Sequence, residues 1–125
     1  MLNNVSFDGV IATTSTNWPK RETRIGVSTT YGNCGEIEAD SLGELAREET
    51  SVHVEICDSE NTGEIIEFNC SIDGIRTDWA KGETSVTFKV ATRESFESKS
   101  AVLGVWGERH IKTAISVSSN QAKLL

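Results

Sequence analysis

The stretch 52–72, VHVEICDSENTGEIIEFNCSI, decides the fold, because two alternating runs of apolar and polar residues flank a polar centre. The first run places Val52, Val54 and Ile56 at every second position, and the second run does the same from Ile66 to Ile72. Period-two alternation is typical of half-buried β-strands. The polar centre, 58–64, is rich in turn-forming residues. The stretch therefore predicts a β-hairpin with a loop over 58–64.

The register of this hairpin follows because directly opposed residues must share a face of the sheet. Setting Val54 opposite Phe68 brings both apolar sets to one face. The other face then carries His53, Glu55, Cys57, Ile65, Glu67 and Asn69. Glu55 falls directly opposite Glu67, and such like-charge pairs are unfavourable by roughly a few tenths of a kcal/mol. A cation or a basic partner would relieve that repulsion.

Similar alternation, rich in β-branched residues, recurs in the windows 5–11, 25–29, 86–90, 101–106 and 111–117. Gly107 and Glu108 predict a two-residue type II′ turn that pairs the last two windows as a hairpin. In that predicted strand Leu103 and Val105 share one face, and the strand is apolar on both faces. Such a strand needs packing on both sides or a partner on one.

One window has helical rather than alternating spacing. Ser41-Leu42-Gly43-Glu44 is a capping-box sequence, with Ser41 as the N-cap, and Leu45 and Ala46 continue the helical spacing. We predict one short helix over about 41–49. The predicted fold class is α+β, mainly β: an antiparallel sandwich or partly closed barrel of about seven strands with that helix, in a single domain, 1–125.

The overall charge argues against some classes of partner. The net charge is −7 and the pI is about 4.8, which disfavours direct binding to nucleic acid or to an anionic membrane. No apolar run approaches the ~20 residues that cross a bilayer. Met1 begins a stretch without the features of a signal peptide. The three cysteines have no recognised spacing, so we predict a reducing, cytoplasmic location, which would be the host cytoplasm for a viral protein.

The negative charge is concentrated between Glu36 and Glu67. This window holds eleven of the nineteen carboxylates and one base, Arg47, so its net charge is −10, whereas the rest of the chain is +3. Acidic residues are usually just solvated, but the block is nearly pure and covers a helix and a hairpin that are consecutive. We predict one acidic face. The predicted partner-binding residues are Glu36, Glu38, Asp40, Glu44, Glu48, Glu49, Glu55, Asp58, Glu60, Glu64, Glu67 and Trp79.

The acidic face favours a non-catalytic binding protein that engages a basic protein surface. Regularly spaced carboxylates can imitate duplex phosphates. Such a protein would act as an inhibitor or nucleic-acid mimic of a nucleic-acid-handling enzyme, as a viral, phage or mobile-element accessory protein would. One alternative is a self-assembling structural subunit, such as a virion or tail-like component, with contacts between copies. Another is a metal-binding or enzymatic domain.

A metal site is the sharper hypothesis for the polar face of the hairpin. His53, Glu55, Cys57 and Glu67 offer nitrogen, sulfur and oxygen ligands there. Alternate residues of a flat strand lie ~6.5–7 Å apart, however, which is too far for easy convergence on one ion. We therefore predict no metal and no other cofactor. We also predict no catalytic residue, because the sequence contains no recognised catalytic motif.

The aromatic and sulfur-containing residues complete the predictions. Trp106 is expected to cap the core, whereas Trp18 and Trp79 either cover its ends or stay exposed as interface anchors. Cys70 shares the apolar face of its strand and is predicted to be a buried thiol. Cys57 does not oppose Cys70 in the predicted register, so no disulfide is expected between them.

Overall fold

The computed structural model describes residues 4–30, 36–48, 51–91 and 94–119. In chain order the elements are β1 (Asn4–Asn17), β2 (Glu22–Thr30), α1 (Glu36–Glu48), β3 (Val52–Asp58), β4 (Asn61–Asp78), β5 (Glu83–Ala91), α2 (Glu94–Glu108) and β6 (Lys112–Ser119). The predicted class, α+β and mainly β, is confirmed. Among the described residues there are six strands rather than seven, and two helices rather than one.

All strand pairs are antiparallel, and the strands close into a barrel in the order β1-β2-β5-β4-β3-β6. The two long strands hold it together. β1 pairs with β6 over 4–10 and with β2 over 10–17, and β4 pairs first with β3 and then with β5. Both strands have a register shift near the change of partner, and such bulges bend a strand. The barrel is therefore built like a sandwich whose two layers share β1 and β4.

The β3–β4 hairpin has the predicted register. Val54 pairs with Phe68 and Glu55 with Glu67. The predicted loop over 58–64 is too long, because β4 already begins at Asn61, which pairs with Asp58 after a register shift. Ser59 fixes this tight turn: its backbone N–H and its hydroxyl both donate to the Lys112 carbonyl, at 3.0 and 2.8 Å.

The predicted helix over 41–49 is present as α1, but it begins five residues earlier, at Glu36. Ser41 therefore lies inside the helix and does not cap it. Acidic residues are favourable in the first turn of a helix, where they oppose the positive end of its dipole, and this explains the earlier start. Leu42 and Leu45 are buried, as their helical spacing predicts.

The predicted strand over 101–106 is wrong, since this segment belongs to α2. Leu103 and Trp106 are buried and Val102 is partly buried, whereas Val105 is 43% exposed. Burial thus follows the three-to-four-residue period of a helix and not the alternation of a strand. A short apolar run is compatible with a strand or with a buried helix, because periodicity alone does not distinguish these two structures.

The predicted hairpin turn at Gly107 and Glu108 is also wrong, because these residues end α2. His110 N–H donates to the Gly107 carbonyl at 3.1 Å, and Ile111 N–H donates to the Trp106 carbonyl at 3.0 Å. His110 has a φ of 52°. This pair of bonds around a left-handed residue is a Schellman motif, which satisfies carbonyls that the helix leaves free.

Each helix crosses one end of the barrel. α1 contacts both β1 and β4, which lie on opposite sides of the ring of strands. α2 packs against β1, and its Lys99 ammonium donates to the Glu67 carbonyl on β4 at 2.6 Å. Leu42 and Leu45 of α1, like Leu103 and Trp106 of α2, join the barrel core. None of the described helices has the length and apolar character needed to cross a membrane.

Candidate functional site

His53 has the most unusual environment of the hairpin residues. In β3 it alternates with Val52 and Val54, which face the barrel interior, so its side chain belongs to the outer face of the barrel. Nevertheless it is only 8% exposed. On that face β3 lies between β6, where Ser118 pairs with His53, and β4, where Asn69 does. Buried side-chain nitrogens are normally hydrogen-bonded, so the surroundings of both ring nitrogens matter.

Asn69 provides the first partner. His53 Nδ1 lies 3.0 Å from Asn69 Oδ1. An amide oxygen only accepts hydrogen bonds, so Nδ1 carries the proton and donates. In the neutral imidazole the lone pair is then on Nε2. The cross-strand amide thereby fixes both the tautomer and the orientation of the ring.

The second nitrogen faces two carboxylates. His53 Nε2 lies 3.5 Å from Glu55 Oε1 and 3.4 Å from Glu67 Oε2. It is buried and has no hydrogen-bond partner among the described residues. An unsatisfied buried polar atom costs about 1–3 kcal/mol. The ring nitrogen and the two carboxylate oxygens therefore lie close together.

This convergence contradicts the expectation that the ligand atoms would lie too far apart. The ligand atoms of His53, Glu55 and Glu67 all lie within 4.8 Å of one another, whereas Cys57 is not part of the group. The expectation considered spacing along one strand. Glu67 instead comes from the neighbouring strand, where opposed side chains start ~4.5–5.5 Å apart, and glutamate is long enough to lean toward the histidine.

Glu55 and Glu67 lie at the surface of the barrel, and the described basic side chains do not pair with their carboxylates. The side chains of Glu55 and Glu67 are 47% and 57% exposed, and within the described part of the chain neither forms an ion pair with a lysine or arginine. Lys99 is near, but its ammonium bonds the backbone carbonyl of Glu67. The opposition expected from the sequence is thus present, and among the described side chains His53 forms a contact with both carboxylates.

A groove of about 410 Å³ lies beside this pair, on the outer face where β1, β6 and β3 run side by side. Its lining includes Ser6, Asp8, Glu55, Cys57, Ile65 and Ser116. Ile65 is 56% exposed, which is unusual for a large apolar side chain. The groove thus combines two carboxylates with an apolar wall. The sequence did not predict this groove, because it depends on β1 closing the barrel against β6.

The predicted acidic residues fall into two groups. Glu55, Glu60, Glu64 and Glu67 are exposed on the β3–β4 hairpin, and we call these four the hairpin acids; Asp58 is half-buried beside them. Asp40 and Glu44 are exposed on α1. Glu36, Glu38 and Glu48 also belong to α1, but their side chains lie outside the described part, and Glu49 lies outside it altogether.

The chain path separates these two groups. α1 leads into the first residue of β3, whereas the tip of the hairpin follows its last residue. A strand of this length extends about 20 Å. Trp79 lies in the turn after β4, at the opposite end of that strand from the hairpin tip. The structure therefore brings Glu55 and Glu67 together and places Glu60 and Glu64 on the same hairpin, but it does not bring Trp79 to them.

The remaining aromatic and sulfur predictions can also be placed. Trp106 is buried in the core, whereas Trp18 and Trp79 are exposed and do not cover its ends. Cys57 and Cys70 are both free, as expected. Burial raises the pKa of the Cys70 thiol from 9.0 to about 12. Cys70 is thus an inert core residue rather than a nucleophile.

Comparison with known proteins adds no family to this description. No protein-family model matches the chain, and no curated protein matches it. Function therefore has to be inferred from the site itself.

Proposed function

We propose that this protein is a non-catalytic binding protein that engages a basic protein surface with the hairpin acids. The observation that carries the proposal is the opposition of Glu55 and Glu67, exposed and without a lysine or arginine partner among the described residues. The pair adds nothing to the stability of the isolated barrel. A basic partner would turn this repulsion into attraction, so the pair is better explained by binding than by folding.

The groove beside Glu55 supports a particular form of contact. A lysine or arginine has an apolar stem and a charged head. The stem would lie against Ile65, and the charge would reach Asp8 and Glu55. Glu60 and Glu64 at the hairpin tip would add long-range attraction, which raises the rate of association.

The finer form of the proposal is an inhibitor or nucleic-acid mimic, with a nucleic-acid-handling enzyme as the target. Its support is the charge of the window from Glu36 to Glu67, which is −10. The exposed acids of α1 would extend the acidic surface along about 20 Å of β3. A viral, phage or mobile-element origin and a cytoplasmic location belong to this form of the proposal, and the cysteine pattern supports the location.

The alternative of a self-assembling structural subunit has lost one of its two supports. It rested partly on a strand over 101–106 that was apolar on both faces, and this segment is part of α2. Closure of the barrel also pairs every described strand on both sides, so that no strand is left free for pairing along its whole length with another copy. The binding proposal does not depend on either feature.

The experiment compares two charge-reversal variants as bait in a lysate of host cells. Glu60→Lys/Glu64→Lys removes charge from the hairpin acids, whereas Glu83→Lys/Glu108→Lys alters exposed acids elsewhere. Both change the net charge of −7 equally. We expect the wild type and the second variant to retain the same basic protein at ~50 mM salt and to release it at ~500 mM. Equal retention by the first variant would overturn the proposal.

A further inference from the structure

The geometry around His53 points to a divalent transition-metal site, which we propose is formed by His53 Nε2, Glu55 and Glu67. The inference goes beyond the proposed binding function and does not rest on it. It starts from the one buried side-chain nitrogen that has no hydrogen-bond partner among the described residues. That nitrogen is directed at two carboxylates from adjacent strands.

The distances match ligands around a metal ion better than a hydrogen bond from a protonated Nε2. A charge-assisted hydrogen bond from a protonated Nε2 would be ~2.7–2.9 Å long, whereas the observed separations are 3.5 and 3.4 Å. Two ligands ~2.0–2.1 Å from a tetrahedral zinc ion lie ~3.3–3.4 Å apart. The two distances from His53 Nε2 to the carboxylates match this ligand-to-ligand separation. The distance between the Glu55 and Glu67 oxygens is no more than 4.8 Å, so a small side-chain movement brings it to the same value.

The hydrogen bond to the other ring nitrogen of His53 is of the kind that orients a metal-ligating histidine. A ligating histidine almost always donates its other ring N–H to an oxygen acceptor, which fixes the ring and its tautomer. Asn69 Oδ1 does this here, at 3.0 Å. Asn69 is thus a positioning residue. His53 is held by the barrel, whereas the half-exposed glutamates can open to admit an ion and close on it.

The donor set selects the class of metal. Imidazole nitrogen suits zinc and its transition-metal neighbours, whereas magnesium and calcium take oxygen ligands. Three protein ligands leave at least one position for water or for a ligand's donor atom. The groove described above shares Glu55 with this ligand set. Zn²⁺ is the ion that the tetrahedral edge fits best.

Calorimetric titration of the full, tag-free chain with Zn²⁺ tests the inference. We expect one ion per chain, with the affinity of Glu55→Gln and of Glu67→Gln lower by more than about tenfold, since loss of a supporting residue alone costs 10–100-fold. Asn69→Ala should lower the Zn²⁺ affinity by about 10–100-fold. Glu83→Gln, which changes an exposed acid of β5 outside the hairpin acids, is the control and should bind as the wild type does.

Absorption of the Co²⁺-loaded protein provides a second readout that does not depend on folding stability. A tetrahedral site of one histidine and two carboxylates gives visible d–d bands without a thiolate charge-transfer band. Failure to bind Zn²⁺ at ~1 mM would overturn the inference. Binding that survives both glutamine substitutions would also overturn it. So would a thiolate band, because it would reveal cysteine ligands. Glu60→Lys/Glu64→Lys leaves all three ligands in place, so loss of the partner and loss of the metal can be told apart.

Discussion

The assignment of 101–106 to a helix makes a quantitative prediction about two neighbouring apolar residues. A strand would put Leu103 and Val105 on the same face, so truncating either to alanine would cost a similar free energy of unfolding. In α2 Leu103 is fully buried, whereas Val105 is 43% exposed. The variants Leu103→Ala and Val105→Ala should therefore differ strongly.

The magnitudes follow from burial. Leu103→Ala removes about three buried methylene-sized groups at ~0.8 kcal/mol each and leaves a cavity, so we expect a loss of about 3–4 kcal/mol. Val105→Ala removes two such groups that are little more than half-buried, which costs ~0.9 kcal/mol. The better helix propensity of alanine returns ~0.5 kcal/mol, so its net effect is about 0.4 kcal/mol.

Urea denaturation followed by far-ultraviolet circular dichroism measures both values. For a slope of ~1–3 kcal/mol per molar urea, Leu103→Ala should lower the midpoint by roughly 1–4 M. Val105→Ala should shift it by only a few tenths of a molar. Equal shifts for the two variants would refute the helical packing of this segment.

Three further predictions concern glycines, the helix end and a thiol. Gly107→Ala should destabilise the protein by at least ~1 kcal/mol, because the added Cβ would lie 2.8 Å from a backbone oxygen of β1; Gly43→Ala, whose Cβ meets only a flexible side chain at 3.4 Å, should stabilise it by up to ~1 kcal/mol in the same urea assay. His110→Gly should raise the melting temperature, since φ is 52° there and glycine adopts that conformation more easily. Cys70 should resist alkylation in the native protein while Cys57 reacts, as mass spectrometry can show. The pKa of Cys70 is raised from 9.0 to about 12, so its contribution to the free energy of unfolding is complete below pH 9 and is lost as the pH rises toward 12.

Each of these predictions has a contradicting outcome. Equal effects of the two glycine substitutions would refute the close approach of α2 to β1. A lower melting temperature for His110→Gly would refute the left-handed helix end. Rapid labelling of Cys70 in the folded state, or a Cys70→Ala variant with the same loss of stability above pH 9, would refute the burial of this thiol.

The hairpin could be predicted because its pattern leaves a single solution. Val54 and Phe68 must both face the core, and a shift by one residue would turn one strand inside out. The opposition of Glu55 and Glu67 follows from the same register. Asn69 could also have been found in this way, since it lies opposite His53. What the pattern could not provide is the direction of the His53 ring, which depends on its hydrogen bond to Asn69.

The helix α2 could not be predicted, because local preference and tertiary packing disagree there. Val102 and Val105 favour strands, and Gly104 and Gly107 weaken helices. The helix is held instead by Leu103 and Trp106, which are buried in the end of the barrel. A small residue is needed where α2 meets β1: a Cβ at Gly107 would lie 2.8 Å from the backbone oxygen of Ile11. Closure of the barrel therefore determines this segment, and closure is not encoded in any local window.

The hairpin acids also illustrate how function and stability can oppose each other. Neutralising one member of the opposed pair should leave the barrel as stable as before or slightly more stable, because like charges across a sheet repel. Surfaces that bind often retain such unfavourable local features. The same substitution should weaken binding of any cation, whether it is a metal ion or a basic side chain.

The central claim is that the hairpin acids bind a basic partner, and the most direct test is the affinity for the captured protein. Calorimetry at ~0.01 M salt, where the Debye length is ~30 Å, and at ~0.15 M salt, where it is ~8 Å, separates charge-driven from apolar binding. We predict that Kd rises by at least about tenfold at the higher salt, and that Glu60→Lys/Glu64→Lys loses a similar factor at the lower salt while Glu83→Lys/Glu108→Lys does not. Equal affinities for these two variants, or a Kd that is independent of salt, would contradict the claim.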